Sequence, residues 1–202
     1  MNARTNITNY DRILQICKEN HGIVRTDDLV QNQIPTWYLT DLVNKGKIRR
    51  VERGVYATED GDLDDLYFFQ LTHKMCIYSF QCALYLHNMT DRVPYQKEVT
   101  VYSGYNASHL GEYVLVHYVR KDKYSVGITR AFTVFNNPVR VYDMERTICD
   151  LIINRKEIDP EIYSDALQRF IKSKHRDYRK LREYADIFGI RPKVEFILEV
   201  VG

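Results

Sequence analysis

An apolar helical stripe that stops at a glycine and runs straight into a basic two-stranded ribbon constrains this chain more than any other feature. Residues 34–58 read IPTWYLTDLVNKGKIRRVERGVYAT. Pro35 suits a first helical turn, where its missing N–H costs nothing. Leu39, Leu42 and Val43 keep the i, i+3, i+4 spacing of a buried stripe, which leaves Thr36, Trp37, Thr40, Asp41 and Asn44 on the opposite face. Gly46 supplies a left-handed helix end. Residues 48–51 and 55–58 then read as strands around Glu52-Arg53-Gly54, a loop whose glycine tolerates positive φ. Lys45, Lys47, Arg49, Arg50 and Arg53 crowd this ribbon against one acid, Glu52. The pattern predicts a recognition helix followed by a basic wing.

A basic hairpin alone can be plain solvated surface, so the residues upstream decide the reading. Tyr10, Ile13, Leu14 and Cys17 make a second apolar stripe. It is opened by Thr8 with Asp11 three residues on, and closed by Gly22. Ile23-Val24-Arg25 reads as a short strand. Thr26 caps a second short helix over 27–31, with two acids in its first turn where the helix dipole favours them. Helix, strand, helix, turn, helix, hairpin is the order of a winged helix-turn-helix. Such a unit sets its third helix in the DNA major groove and lays the hairpin along the backbone. The same fold used for protein contacts is the competing reading. The DNA-contact candidates are Thr36, Trp37, Thr40, Asn44, Lys45, Lys47, Arg49, Arg50 and Arg53.

Charge is distributed to match. Residues 1–58 hold nine Lys/Arg against six Asp/Glu, net +3, while the rest hold twenty against twenty-one, net −1. The basic excess therefore lies in the segment that reads as a DNA reader. The whole chain, at +2 over 202 residues, is no polycation.

The acidic, glycine-bearing run 59–65 is the one clear composition break. We place the domain boundary there, with a DNA-binding domain over 1–58 and a second domain over 62–202. Asp62 then caps a helix over 63–73. Residues 75–78 are a short apolar run. Ser79 caps a helix over 80–87, in which Phe80, Ala83, Leu84 and His87 share a face, and His87 reads as a hydrogen-bonded core residue. Strands follow over 98–103, 113–120, 130–135 and 139–142, with alternation in Val114, Val116, Tyr118 and in Phe132, Val134. From Asp143 onward the pattern is helical: 144–154, 161–173 behind Asp159-Pro160, 178–188 between Asp177 and Gly189, and a last helix from Pro192. The fold class expected is α+β: an N-terminal winged helix-turn-helix, then an α+β domain with a small sheet and a helical C-terminal half.

Cys17, Cys76, Cys82 and Cys149 form no C-x-x-C pair and read as free buried thiols of a reducing compartment. His73 and Cys76 stand three apart with no second ligand pair, so no metal is expected. The N-terminal residues lack the apolar core of a signal peptide, and no run approaches membrane-spanning length. A cytoplasmic, soluble protein without a cofactor is the expectation.

Three stretches carry a family resemblance. They are Leu39-x-x-Leu42-Val43-x-x-Gly46-x-Ile48 running into Arg53-Gly54-Val55-Tyr56, then Tyr78-Ser79-Phe80-Gln81-Cys82-Ala83-Leu84-Tyr85-Leu86-His87, and finally Val141-Tyr142-Asp143-x-Glu145-Arg146-Thr147-Ile148-Cys149-Asp150. In this order the chain resembles the AbiEi family of antitoxins from abortive-infection (type IV) toxin–antitoxin systems. The resemblance implies a winged-helix repressor of its own promoter, bound at inverted repeats of double-stranded DNA. It also implies a C-terminal antitoxin domain opposing a nucleotidyltransferase toxin in phage defence, without a lasting complex. A stand-alone winged-helix regulator, whose second domain senses a ligand or protein, is the alternative.

No catalytic signature accompanies this. Arg146, Thr147 and Asp150 are the tempting set, but Arg146 and Asp150 at i, i+4 read as an intrahelical ion pair that also ties its helix to the sheet. A Walker loop, a G-x-G-x-x-G and an H-E-x-x-H are all missing from the sequence, so no enzyme is expected. One further tract stands out: Arg169, Lys172, Lys174, Arg176, Arg179, Lys180 and Arg182. It reads either as solvated surface or as an anion surface for nucleic acid or toxin.

Overall fold

The computed structural model describes residues 8–61 and 64–201. The chain is α+β, and among the described residues ten helices accompany a three-stranded and a five-stranded sheet. It divides into two compact units, Met1–Thr72 and His73–Gly202.

In the first unit, α1 (Asn9–Glu19) opens on the expected capping box, the Thr8 hydroxyl and the Asp11 carboxylate each accepting the other's backbone N–H. Ile13 and Cys17 are buried, but Leu14 is exposed; the stripe is narrower than its spacing suggests. After β1 (Ile23–Arg25) comes α2 (Thr26–Gln31). Its cap is not Thr26, which lies inside the helix. Arg25 occupies that position, and the Asp28 carboxylate accepts both its backbone N–H at 2.8 Å and its guanidinium. Next come α3 (Trp37–Asn44), β2 (Arg49–Glu52) and β3 (Val55–Ala57), with strand order β1-β3-β2, antiparallel throughout and bulged between Arg50 and Glu52. This is the element order of a winged helix-turn-helix.

Alternation along these strands gives the small sheet two buried faces. Val24 and Tyr56 pack with Ile13, Leu29, Leu39 and Leu42 of the three helices. Ile23 and Val55 face the other way and meet Phe68 of α4 (Asp65–Thr72). The helix expected to open the second domain therefore belongs to the first unit, and the compact-unit division follows Thr72 instead of residues 59–61. Nor is Gly61 a free linker: a β-carbon on Gly22, at φ +86°, would come within 2.5 Å of the Gly61 α-carbon. The expected Asp62 cap lies outside the described residues. Asp64 Oδ1 accepts the Tyr67 backbone N–H at 3.0 Å.

The second unit is built on a mixed sheet. Its central strand is β4 (Ile77–Tyr78), followed by α5 (Phe80–Leu86). Antiparallel to β4 runs β5 (Lys97–Tyr102), with β6 (Val114–Val119) parallel beyond it. After the short α6 (Lys121–Tyr124), β7 (Ile128–Phe132) pairs antiparallel with β8 (Pro138–Tyr142), which lies parallel to β4. The apolar run at 75–78 is thus the centre of the sheet. Alternation holds in part: on β6, Val114 and Val116 are half-buried with Leu115 exposed between them, but Tyr118 is exposed, as are Phe132 on β7 and Val134 beyond its end. The strands β6 and β7 are sheet edges, and on β7 it is Ala131, opposite buried Val139, that faces inward.

Against this sheet lies α7 (Met144–Ile153), buried from Glu145 to Ile152. It packs with α8 (Pro160–Lys172), α9 (Tyr178–Phe188) and α10 (Arg191–Val201) through Ile148, Leu151, Phe170, Leu181 and Val194. Asp159 and Asp177 cap their helices through their side chains as expected, and Gly189 ends α9 in the left-handed region.

Candidate nucleic-acid interface

Leu39 and Leu42 turn into the first unit's core, which pins the rotation of α3 and leaves Thr36, Trp37, Thr40 and Asn44 on its open face. Trp37 is 56% exposed. It stacks on Tyr38 at 3.8 Å between ring centroids, and Tyr38 meets Tyr10 edge-on at 4.9 Å. The indole therefore rests on an aromatic ladder running back to α1 while remaining on the open face.

Asp41 was expected on the open face. It is half-buried and occupied: its carboxylate accepts the Tyr10 hydroxyl at 2.6 Å and pairs with the Lys45 ammonium at 2.7 Å. Lys45 and Tyr10 hold the Asp41 carboxyl below the usual range, and Lys45 also lies over the Tyr10 ring at 4.4 Å. This cluster ties α1 to the end of α3. Of its members, Tyr10 carried no sequence signal beyond its place in an apolar stripe. Asp41 and Lys45 were legible as an i, i+4 pair.

The ribbon differs. Lys47, Arg49, Arg50 and Arg53 are all exposed. Arg50 Nε donates to the Glu52 backbone carbonyl at 3.3 Å. Among the described residues, no ion pair engages Lys47, Arg49, Arg50 or Arg53. The strand β2 is also the sheet's edge. Uncompensated cations on an exposed edge suit a row of phosphates, while hydroxyl, amide and indole groups on an open helix face suit base edges.

The second basic tract is a different object. Arg169 forms a two-pronged pair with Asp91. Arg182 pairs with Glu195 at 3.0 Å and Arg179 with Glu183 at 3.6 Å. Lys180 reaches Asp143 at 2.9 Å and Glu145 at 3.3 Å. Burial disfavours its charge, but those two carboxylates overcome that and raise the ammonium pKa. Arg176 donates to the Ser173 carbonyl at 2.6 Å. Only Lys172 and Lys174 of the seven have no such contact among the described residues. Most of the tract is thus internal bracing.

Arg146 and Asp150 do form an i, i+4 pair, at 2.9 Å, but a buried one. The guanidinium lies 4.1 Å from the Tyr142 ring centroid and 4.3 Å from that of Phe188, and donates to the carbonyls of Lys123 and Val126. Burial pushes the Asp150 carboxyl up to about 6 against the pull of Arg146. The pair locks α7 to the segment before β7. His87 Nε2 stands 2.7 Å from the Tyr142 carbonyl, the core role expected of it, and burial lowers its pKa. The four cysteines are buried, and among the described residues none forms a disulfide. Among the described residues, no cluster of three metal-ligating side chains occurs and no helix is long and apolar enough to cross a membrane.

Residues 11–58 match the family model described as the transcriptional regulator, AbiEi antitoxin. The AbiEi match begins at the capping acid of α1 and ends just after the wing, so it spans the helices and ribbon described above; residues 59–202 lie outside it. It agrees with the family the sequence resembles. No curated protein matches the chain. Among solved structures, the crystal structure of the RV2827C protein from Mycobacterium tuberculosis is similar in fold. The TM-score is 0.62, over 87% of this chain and 70% of that one, at 12% identity.

Proposed function

We propose that the protein is an AbiEi-type antitoxin and transcriptional regulator, not an enzyme. In this reading its first unit binds promoter DNA of its own operon. Its second unit opposes a nucleotidyltransferase toxin in a type IV abortive-infection system, in the cytoplasm and without a stable complex. The observation that carries the reading is the pairing, within the AbiEi-matched segment, of an open α3 face with a ribbon whose cations meet no acid among the described residues. Arg49, Arg50, Arg53 and Lys47 contact phosphates; Thr36, Trp37, Thr40 and Asn44 face the bases. Lys45 contributes less, because Asp41 already holds it.

Two measurements on the full chain test this. A mobility shift with the DNA upstream of its own gene should show binding that survives excess unrelated duplex. Co-expression with a nucleotidyltransferase encoded beside it should restore growth. Absence of any such neighbouring gene, with specific DNA binding intact, would leave the stand-alone regulator as the reading.

A further inference from the structure

A cleft of about 520 Å³ opens in the second unit among β6, α6, α7 and the start of α10. Its walls mix apolar and cationic groups. Ile153, Phe188 and Ile190 supply the apolar side; Lys123 and Lys193 supply charge. Arg146 and Asp150 also reach it but neutralise each other. Among the described residues, neither the Lys123 nor the Lys193 ammonium meets a carboxylate. On the neighbouring helices Arg169, Lys180, Arg182 and Arg191 are each matched by acids, while Lys172 and Lys174, outside the cleft, share the unmatched state.

The far wall is rigid. His117 lines the cleft, its Nε2 standing 2.8 Å from Glu98 Oε1, while the other oxygen of Glu98 accepts the Gln81 backbone N–H at 2.9 Å. Phe80 stacks on the imidazole at 3.9 Å. Phe80 also adopts φ +47°, a left-handed conformation that a bulky side chain disfavours. Backbone strain of this kind persists where the surroundings enforce it, and it gathers at ligand sites. Beneath, the Thr100 hydroxyl donates to Ser79 Oγ at 2.9 Å.

We propose that this cleft binds a phosphorylated organic molecule of nucleotide size. The Lys123 and Lys193 ammoniums receive the phosphates, and the Ile153–Phe188–Ile190 side receives the organic body. Its volume falls in the range of small-molecule sites, which pair apolar walls with a few placed polar groups. Nothing in this assignment depends on which toxin, if any, the protein opposes.

Calorimetric titration of the full chain with ATP, GTP and inorganic pyrophosphate tests it. A nucleoside triphosphate should bind, and bind more tightly than pyrophosphate. Lys123→Ala and Lys193→Ala should each weaken it about ten-fold, the size expected for losing one charge-assisted contact. Lys174→Ala, an exposed cation outside the cleft, should leave it unchanged. Circular dichroism and melting temperature establish that each variant is folded. No binding of either nucleotide at millimolar concentration would overturn the proposal. So would affinity indifferent to both cleft lysines, or pyrophosphate binding as tightly as the nucleotides.

Discussion

Gly127 lies against Arg146 so closely that a β-carbon on it would come within 2.5 Å of the Arg146 β-carbon. The glycine also sits at φ +80°, so a side chain there is opposed twice, by conformation and by space. Gly127→Ala should therefore destabilise the second unit by about 2–4 kcal/mol, combining the backbone penalty with displacement of a buried ion pair. Urea unfolding followed by circular dichroism measures it. An unchanged midpoint would mean that the Arg146 side chain can shift at no cost.

Wing and helix should separate in DNA titrations. Arg49→Ala with Arg53→Ala should weaken binding to all duplexes and lower the salt slope by about one unit for each lost phosphate contact. Lys45→Ala should change the slope less, since Asp41 competes for that ammonium. Thr40→Ala should relax sequence preference more than overall affinity. A slope unmoved by the double ribbon change removes the wing from the interface.

Truncation should respect α4. A fragment ending at Thr72 keeps Phe68 over Ile23 and Val55, and should unfold cooperatively. One ending at Gly61 loses that burial, worth about 1.5–3 kcal/mol for a side chain of this kind, and should melt lower and bind DNA more weakly. Equal melting of the two fragments would contradict the packing of α4. In the antitoxin reading, residues 73–202 alone should rescue cells from the toxin without repressing the promoter.

Local signals in the sequence were legible because their cause is local. Thr8 with Asp11, Asp159-Pro160, Asp177 and Gly189 each act within a few residues of themselves, and each stands where expected. The features that were hidden depend on distant partners. Ser79 precedes α5 as a cap should, yet its side chain makes no capping bond; Glu98, from β5, accepts the Gln81 N–H instead. The depth of Arg146 and Asp150 follows from Phe188 and the 123–127 turn closing over them, which no spacing within α7 announces. The exposure of the α3 face was readable from its period. The neutralisation of Arg169, Lys180 and Arg182 was not, since their acids come from other elements.

That neutralisation makes the second basic tract divisible by experiment. Charge reversal at Lys172 and Lys174 should change stability by no more than about 0.5 kcal/mol. Lys180→Ala leaves Asp143 and Glu145, both buried, short of their cation, and should cost about 1–3 kcal/mol. Thermal melts of the variants compare the two directly. Toxin rescue lost only on reversal of Lys172 and Lys174, with the fold intact, would make those two lysines a contact surface.

Stability should also depend on His87. Burial lowers its pKa from 6.5 in the folded chain, so the unfolded chain binds its proton more readily. Its contribution is complete above about pH 6.5 and declines as pH falls through and below that value. Asp150, raised from 3.8 to about 6, acts in the opposite sense, opposing stability as pH rises across that interval. His87→Gln should therefore flatten the loss of stability on acidification from about pH 7 to 5. A slope identical to that of the unaltered protein would show that His87 takes up its proton equally in both states.

The central strand β4 gains its neighbour β8 only when Tyr78 meets Val141, whereas every strand pair of the first unit closes before Thr58. Chain closure over such a span is slow, and nascent domains fold in the order they emerge from the ribosome. While the chain is still being synthesised, the first unit can be complete, α4 included, when β4, the middle strand of the second unit's sheet, still lacks β8 beside it. In the proposed reading, a chain cut short after Thr72 and before Val141 would keep the unit assigned to DNA and lack the pairing that completes the other half.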